Sequence, residues 1–283
     1  MINSNASEFS AISESAFEIL NECLDGANSS DPLVWLYGRF SYLAESTSSS
    51  VRMLVSSANL LPAIALARVR LEQIVVTSYL IHEEPDVALT PYLKHYPIDA
   101  YRSNKGAIEI PDLAKHLAPA AHEATYRAAQ AAKAAIDRNY DGTDAMLNKS
   151  KWTKLDLLSM ARRRDVLTKG AKGPLAFPLE LSYDSFYRDF SSVVHTSSMS
   201  ISPDFVTLEF ASEGRYKFRP LGIWADYLTM TLASWDILNV FELLKAMEID
   251  REPQLKALNS KWNQMRDTFF AERVTRSRTS RHS

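Results

Sequence analysis

The chain has 283 residues and a formal net charge of −2, so its overall charge does not attract nucleic acid or membrane surfaces. Glycine is scarce at 8 residues while alanine and leucine are abundant, which favours helix over sheet. The single cysteine, Cys23, cannot form an intramolecular disulfide and indicates a reducing compartment. The start of the chain lacks the pattern of a signal peptide, and no uncharged apolar run reaches the roughly 20 residues of a membrane span. We therefore expect a cytoplasmic protein without a membrane partner.

Apolar residues at helical spacing predict a series of helices along the chain. In chain order they cover 7–24, 33–57, 62–81, 112–139, 154–164, 221–247 and 252–273. The third of them is apolar nearly all round, so we expect it to be the most buried element of a bundle. Within it, Arg68 and Glu72 are four residues apart and can pair along the helix. A buried charge needs partners, so we expect Glu72 to have a further partner, on the helix of His195. Arg70 points about 160° away from Glu72 and therefore faces another side of the helix.

Alternating residues near 205–218 are typical of a small β-hairpin. The predicted fold is otherwise an all-α, multi-helix bundle. We see no linker or internal repeat, so residues 1–272 are predicted to form a single helical domain. The arginines of the tail, 273–283, lie among serines and threonines, and this basic tail is expected to be disordered.

A predicted helix over 183–198 concentrates polar side chains on one face. Arg188 and His195 are seven residues apart and point almost the same way, with Ser191 and Ser192 between them. Tyr187, Ser191 and His195, each four residues apart, form a second row along the same helix. Histidine can move protons near neutral pH, arginine can stabilise a developing phosphorane charge, and hydroxyl groups can orient a phosphate. Together these residue types are able to carry out phosphoryl chemistry.

The same groups could instead satisfy one another and Glu72 inside a helical core. Taken alone, the residues favour this structural role over the catalytic one. No metal-binding pattern competes with either, because the histidines are scattered and neither HExxH nor a Cys/His cluster occurs. Phosphate-binding loops and the GxSxG elbow are absent from the sequence too. We therefore expect no metal and no cofactor.

The spacing Arg188-Asp189-x5-His195 resembles the Arg-x(4–6)-His motif of the HEPN family (higher eukaryotes and prokaryotes nucleotide-binding). Many members of that family are metal-independent ribonucleases that act as toxins or antiviral effectors. The resemblance implies a helical fold and a homodimer in which two motifs face a shared cleft.

A second pattern resembles a bacterial family of helical proteins of unknown function and covers roughly residues 55 to 205. Its residues are Arg68, Glu72, Trp152, Leu157, Ala161, Tyr183, Tyr187, Ser191, His195 and Ser197. This resemblance implies an all-helical fold and supplies no activity.

Together the two resemblances lead us to expect a HEPN-like, metal-independent ribonuclease in a toxin or antiviral-defence setting. The expected catalytic residues are His195, Arg188, Ser191 and Ser192, and the expected supporting residues are Glu72, Arg68 and Tyr187. RNA, a second copy of the chain, and a protein partner or antitoxin are the expected partners. The alternative is a non-catalytic helical module that binds a protein, with a structural Arg/Glu/His cluster. A ribonuclease should gather basic residues such as Lys151, Lys154, Arg162 to Arg164 or Lys169 around His195, whereas an interaction module should expose an apolar patch.

Overall fold

The computed structural model describes residues 4–25, 31–110, 112, 118–139, 152–187, 206–210, 216–220 and 222–279. The fold is all-α, as predicted. The helices are α1 (Ser4–Asp25), α2 (Pro32–Ser56), α3 (Leu60–His82), α4 (Leu89–Asn104), α5 (Gly106–Glu109), α6 (Pro119–Asn139), α7 (Leu157–Leu167), α8 (Leu179–Ser182), α9 (Gly222–Ala246) and α10 (Glu252–Thr279). A 3₁₀ turn, Gly173–Ala176, precedes α8, and a π-helical turn, Tyr183–Tyr187, follows it.

Two short strands accompany the helices. Strand β1 (Val206–Phe210) pairs antiparallel with β2 (Tyr216–Pro220). In this register Val206 lies opposite Pro220 and Phe210 lies opposite Tyr216.

The chain forms two compact units. The smaller unit, Glu83–Asp156, contains α4, α5 and α6, and α4 packs against α6. Its buried residues include Ile98 and Ile136, while His95 Nδ1 lies 2.9 Å from Asp99 Oδ2. The prediction of one helical domain over 1–272 stays a prediction.

The larger unit, Met1–His82 with Leu157–Ser283, is built around α9. Every residue from 228 to 244 is buried, and α9 packs against α1, α2, α3 and α10. The prediction that the helix now called α3 is the most buried element is therefore wrong. Leu61 and Val69 of α3 are exposed, so α3 has an outer face, whereas the middle of α9 has none. Asp236 and Glu242 of α9 lie inside the unit because Arg70 and Arg164 pair with them, so the charges of α9 gave no sign in the sequence that it is buried.

Local chemistry explains where the helices begin. Asp31 caps α2, since its carboxylate accepts a hydrogen bond from the Leu33 backbone N–H at 2.8 Å, and Pro32 fills the first turn. Asp250 accepts from the Glu252 N–H at 3.1 Å at the start of α10. That last helix continues to Thr279, past the predicted end at residue 273. Across the described ranges, each helix is too short or too polar to cross a bilayer.

Candidate functional site

The four residues predicted to be catalytic lie outside the described residues. These are Arg188, Ser191, Ser192 and His195. Their roles stay predictions. What the structure describes is the chain that leads into them, namely α8 and the π-helical turn Tyr183–Tyr187. Single π-helical turns are rare and occur frequently at functional sites.

The three predicted supporting residues are brought together. Arg68 Nη2 donates a hydrogen bond to Tyr187 Oη at 2.7 Å, and the Arg68 guanidinium carbon lies 4.5 Å from the centre of the Tyr187 ring. Arg68 Nε also contacts Glu72 Oε1 at 3.3 Å. Tyr183 stacks on Tyr187 with a centroid distance of 4.4 Å and an interplanar angle of 13°. We call Arg68, Glu72, Tyr183 and Tyr187 the tyrosine cluster.

Glu72 is less buried than the sequence analysis predicted. Its side chain is 37% exposed, so it is not a buried charge that requires a second partner. The reason is its position beside Arg68 and Val69 on the outer face of α3. The expected contact between Glu72 and the helix of His195 stays a prediction, because His195 lies outside the described residues.

The charged residue of α3 that lies in the interior is Arg70. The sequence analysis placed it on a different side of the helix from Glu72. Arg70 is fully buried and its Nε donates to Asp236 Oδ1 at 3.0 Å and to Ser48 Oγ at 3.1 Å. Its Nη2 donates to Asn239 Oδ1 at 2.9 Å. Asp236 also accepts from Ser13 Oγ at 2.5 Å and from Ser48 Oγ at 2.8 Å. Burial lowers the pKa of Arg70, and the charge and hydrogen bond of Asp236 act in the opposite direction.

A second buried group centres on Glu242 of α9. Glu242 Oε1 accepts from Arg164 Nη2 at 2.6 Å and lies 3.0 Å from His82 Nε2, while Ser78 donates to Oε2. Burial alone would raise the pKa of Glu242. The His82 hydrogen bond, the Arg164 charge and the Ser78 hydrogen bond outweigh burial and lower the pKa below its ordinary value. Glu242 is therefore held as a carboxylate.

This group also fixes the chain that precedes the tyrosine cluster. Arg164 Nη1 donates to the Phe177 carbonyl at 2.8 Å and to Asp165 Oδ1 at 3.1 Å. Asp165 in turn accepts from the backbone N–H groups of Leu179 at 3.1 Å and Glu180 at 2.9 Å. These bonds satisfy the first amides of α8, which would otherwise lack partners. The core therefore positions α8 and the turn behind it.

Aromatic contacts hold the π-helical turn against α9. Phe186 stacks on Tyr227 with centroids 5.0 Å apart and meets Trp235 edge-on at 5.6 Å. Trp235 is fully buried, and its Nε1 donates to Ser182 Oγ at 3.3 Å. The turn is thus anchored on one side by Phe186 and on another by Arg68.

The sequence analysis did not predict the buried contacts of Arg70, Asp236, Asn239, Glu242 and Arg164. A signal was present, because Asp236 and Glu242 interrupt an apolar run, and buried carboxylates require partners. Among the described residues, no three His, Cys, Asp or Glu side chains are grouped so that they could hold a metal ion.

Comparison with known proteins gives one match. The model of a family of unknown function, DUF5677, matches residues 40–212, which is more than half of the chain. No curated protein matches the sequence. No solved structure matches it either. On the strength of the family match, the chain belongs to the DUF5677 family of unknown function.

Proposed function

We propose that the protein is a HEPN-like, metal-independent ribonuclease of a toxin or antiviral-defence setting. The observation that carries the proposal is the contact between Arg68 and Tyr187, at 2.7 Å across 119 residues of sequence. Arg68 and Tyr187 are two of the three residues expected to support the site. Tyr187 directly precedes Arg188, so the anchored turn leads straight into the motif that resembles the HEPN family.

The proposed chemistry is attack of a ribose 2′-oxygen on the neighbouring phosphorus. His195 takes the proton from the 2′-OH as the new P–O bond forms, and water gives a proton to the departing 5′-oxygen as its bond to phosphorus breaks. Arg188 stabilises the charge that develops on the phosphorane, and Ser191 or Ser192 positions the phosphate. The products are a 2′,3′-cyclic phosphate and a 5′-hydroxyl.

Arg68 and Glu72 have a supporting role in this proposal. Arg68 contacts Glu72 and Tyr187 at the same time, so its guanidinium holds the turn from the side of α3. RNA is the substrate, two copies of the chain form a shared cleft, and a protein partner or antitoxin restrains the activity.

The test is incubation of the purified chain with labelled RNA in EDTA, beside the variants His195→Ala and Arg188→Lys. The wild type should cleave in EDTA. His195→Ala should lose cleavage, since general acid–base catalysis alone supplies about 10²–10⁴-fold. Arg188→Lys should also cleave RNA poorly, because the point charge of lysine does not replace the planar bidentate donor of arginine. Cleavage that stops in EDTA, or that persists unchanged in His195→Ala, would refute the proposal.

Two observations favour a second candidate, a non-catalytic module that binds a protein. The outer side of α2 exposes Trp35, Tyr42 and Met53 at 58%, 68% and 70%, and exposed apolar patches often mark interaction sites. Two of the basic residues expected to receive RNA are also held in ion pairs. Arg164 is buried on Glu242, and Arg162 pairs with Glu180 at 2.7 Å. An absence of RNA cleavage under every condition would leave this candidate ahead.

A further inference from the structure

A cleft of about 460 Å³ lies within the larger unit, where α9 ends and α10 begins. The segment that enters the 3₁₀ turn forms one wall, and the end of α9, the start of α10 and the chain between them form the rest. Small-molecule sites occupy roughly 300–1,000 Å³ and combine an apolar surface with a few polar groups. The cleft has the volume for a small ligand, and its side chains indicate which kind.

The deep part of the cleft is apolar. Four buried side chains from three elements line it, namely Leu175 of the 3₁₀ turn, Phe241 and Leu244 of α9, and Leu255 of α10. Among these side chains a charged group would lose its hydration without gaining a partner, whereas an apolar group is favourably removed from water. The part of a ligand that reaches this depth is therefore apolar.

Charged side chains of both signs line the outer part of the cleft. Lys172, Lys245 and Glu248 are exposed, and none of them has a hydrogen bond or ion pair from its side chain to another residue that the structure describes. Lys172 precedes the 3₁₀ turn, Lys245 lies in the last turn of α9, and Glu248 lies just beyond that helix. Two ammonium groups and one carboxylate are thus available to a ligand.

The other charges of the cleft already have partners. The Asp250 carboxylate accepts a hydrogen bond from the Glu252 N–H at 3.1 Å, and the Glu252 carboxylate pairs with Lys256 at 2.6 Å. Arg251 contacts the Cys23 side chain. The charge pattern that a ligand meets is therefore set by the two lysines and the one glutamate that are unpaired.

We propose that the cleft binds a free α-amino acid with an apolar side chain. The carboxylate of the amino acid lies beside Lys172 and Lys245, its ammonium group lies beside Glu248, and its side chain packs on the apolar part of the cleft. A ligand with only a carboxylate would be repelled by Glu248, and one with only an ammonium group would be repelled by the two lysines. An amino acid carries both charges on one carbon, so it is attracted by both.

The ligand chemistry is tested by isothermal titration calorimetry of the full chain with L-leucine, in the absence of RNA. Isoamylamine is leucine without the carboxylate, isocaproate lacks the amino group, and glycine lacks the apolar side chain. Leucine should bind. Each of the three analogues should bind at least about tenfold more weakly, because each lacks one of the three contacts.

Charge variants test the residues. Lys172→Gln and Glu248→Gln should each weaken leucine binding about tenfold, the order expected for loss of one hydrogen bond to a charged group. The matched control is Lys261→Gln, which removes an exposed lysine of α10 that does not line the cleft. This control should bind leucine as the wild type does.

Glu248→Gly separates a loss of binding from a loss of fold. Glu248 has a φ of 58°, in the left-handed region that favours glycine. The glycine variant should therefore be at least as thermally stable as the wild type, while it binds leucine as weakly as Glu248→Gln does.

No binding of leucine would overturn the proposal, and so would equal binding of leucine by Lys172→Gln, Glu248→Gly and the wild type. Isocaproate or isoamylamine that binds as tightly as leucine would also overturn it, since the cleft would then recognise only one of the two charges.

Discussion

At the scale of single residues, the ion pair of Arg70 and Asp236 is completely removed from solvent. Taking both charges out of water is costly, and the cost is offset by their attraction and by hydrogen bonds from Ser13 and Ser48 to Asp236. Loss of one partner leaves the other as an uncompensated buried charge. Removing only one of the two charges is therefore expected to reduce the stability of the protein most.

Asp236→Asn should lower the free energy of unfolding by about 3–5 kcal/mol, because Arg70 is then left without its carboxylate. The matched control is Glu123→Gln in the exposed pair Arg127–Glu123, whose side chains are 76% and 56% exposed. That change should cost at most about 1 kcal/mol. Urea unfolding of both variants measures the difference, and equal losses would contradict the buried role of the pair.

His195→Ala separates a catalytic histidine from a structural one. If His195 works on substrate, its removal should leave the melting temperature nearly unchanged while cleavage is lost. If it instead satisfies buried partners, the same change should cost about 1–3 kcal/mol. Thermal unfolding measured beside the cleavage assay distinguishes them, and a large loss of stability without an effect on activity would support the structural role.

At the scale of elements, α9 is the central helix of the larger unit, and Glu242 is a buried charge near its C-terminal end. The pKa of Glu242 is lowered in the folded chain from its ordinary value of 4.5, so unfolding makes this carboxylate easier to protonate. Its contribution to stability is therefore complete above about pH 4.5 and is lost as pH falls from there through the folded pKa. We therefore expect the larger unit to lose stability in acid.

The predicted sign can be measured with Glu242→Gln, which cannot titrate at this position. The variant should be less stable than the wild type at pH 7, and the gap between the two free energies of unfolding should shrink below about pH 4.5. Chemical unfolding from pH 7 to pH 3 gives both curves. A gap that stays constant or widens on acidification would show that the carboxylate is not stabilised in the fold.

The short helix α8 depends on Asp165. Its carboxylate accepts the N–H groups of Leu179 and Glu180, so Asp165→Ala should cost about 0.5–2 kcal/mol, as loss of a helix cap does. Because α8 leads into the π-helical turn, the proposed RNA cleavage should fall by more than the change in stability explains. Activity measured well below the melting temperature tests this, and unchanged cleavage would separate α8 from the site.

At the scale of the whole molecule, the all-α class was predictable from the sequence. Helix formation depends on local features, here the periodic apolar residues and the scarcity of glycine. The pairing of Arg68 with Glu72 was also predictable, since both lie four residues apart on one helix. Arg70 was not, because its carboxylate partner is 166 residues away in the chain. The central position of α9 was not predictable either, because charged residues in a helix usually face solvent. The arginines that pair with its carboxylates, Arg70 and Arg164, are distant in the chain.

We propose that RNA is cleaved by the segment that follows the tyrosine cluster. The most direct test is mass spectrometry of the fragments that the wild type produces from a short RNA in EDTA. We predict a 2′,3′-cyclic phosphate on one fragment and a 5′-hydroxyl on the other, with neither formed by His195→Ala. Fragments that end in a 3′-hydroxyl and begin with a 5′-phosphate would contradict attack by the 2′-oxygen, and with it the proposed roles of His195 and Arg188.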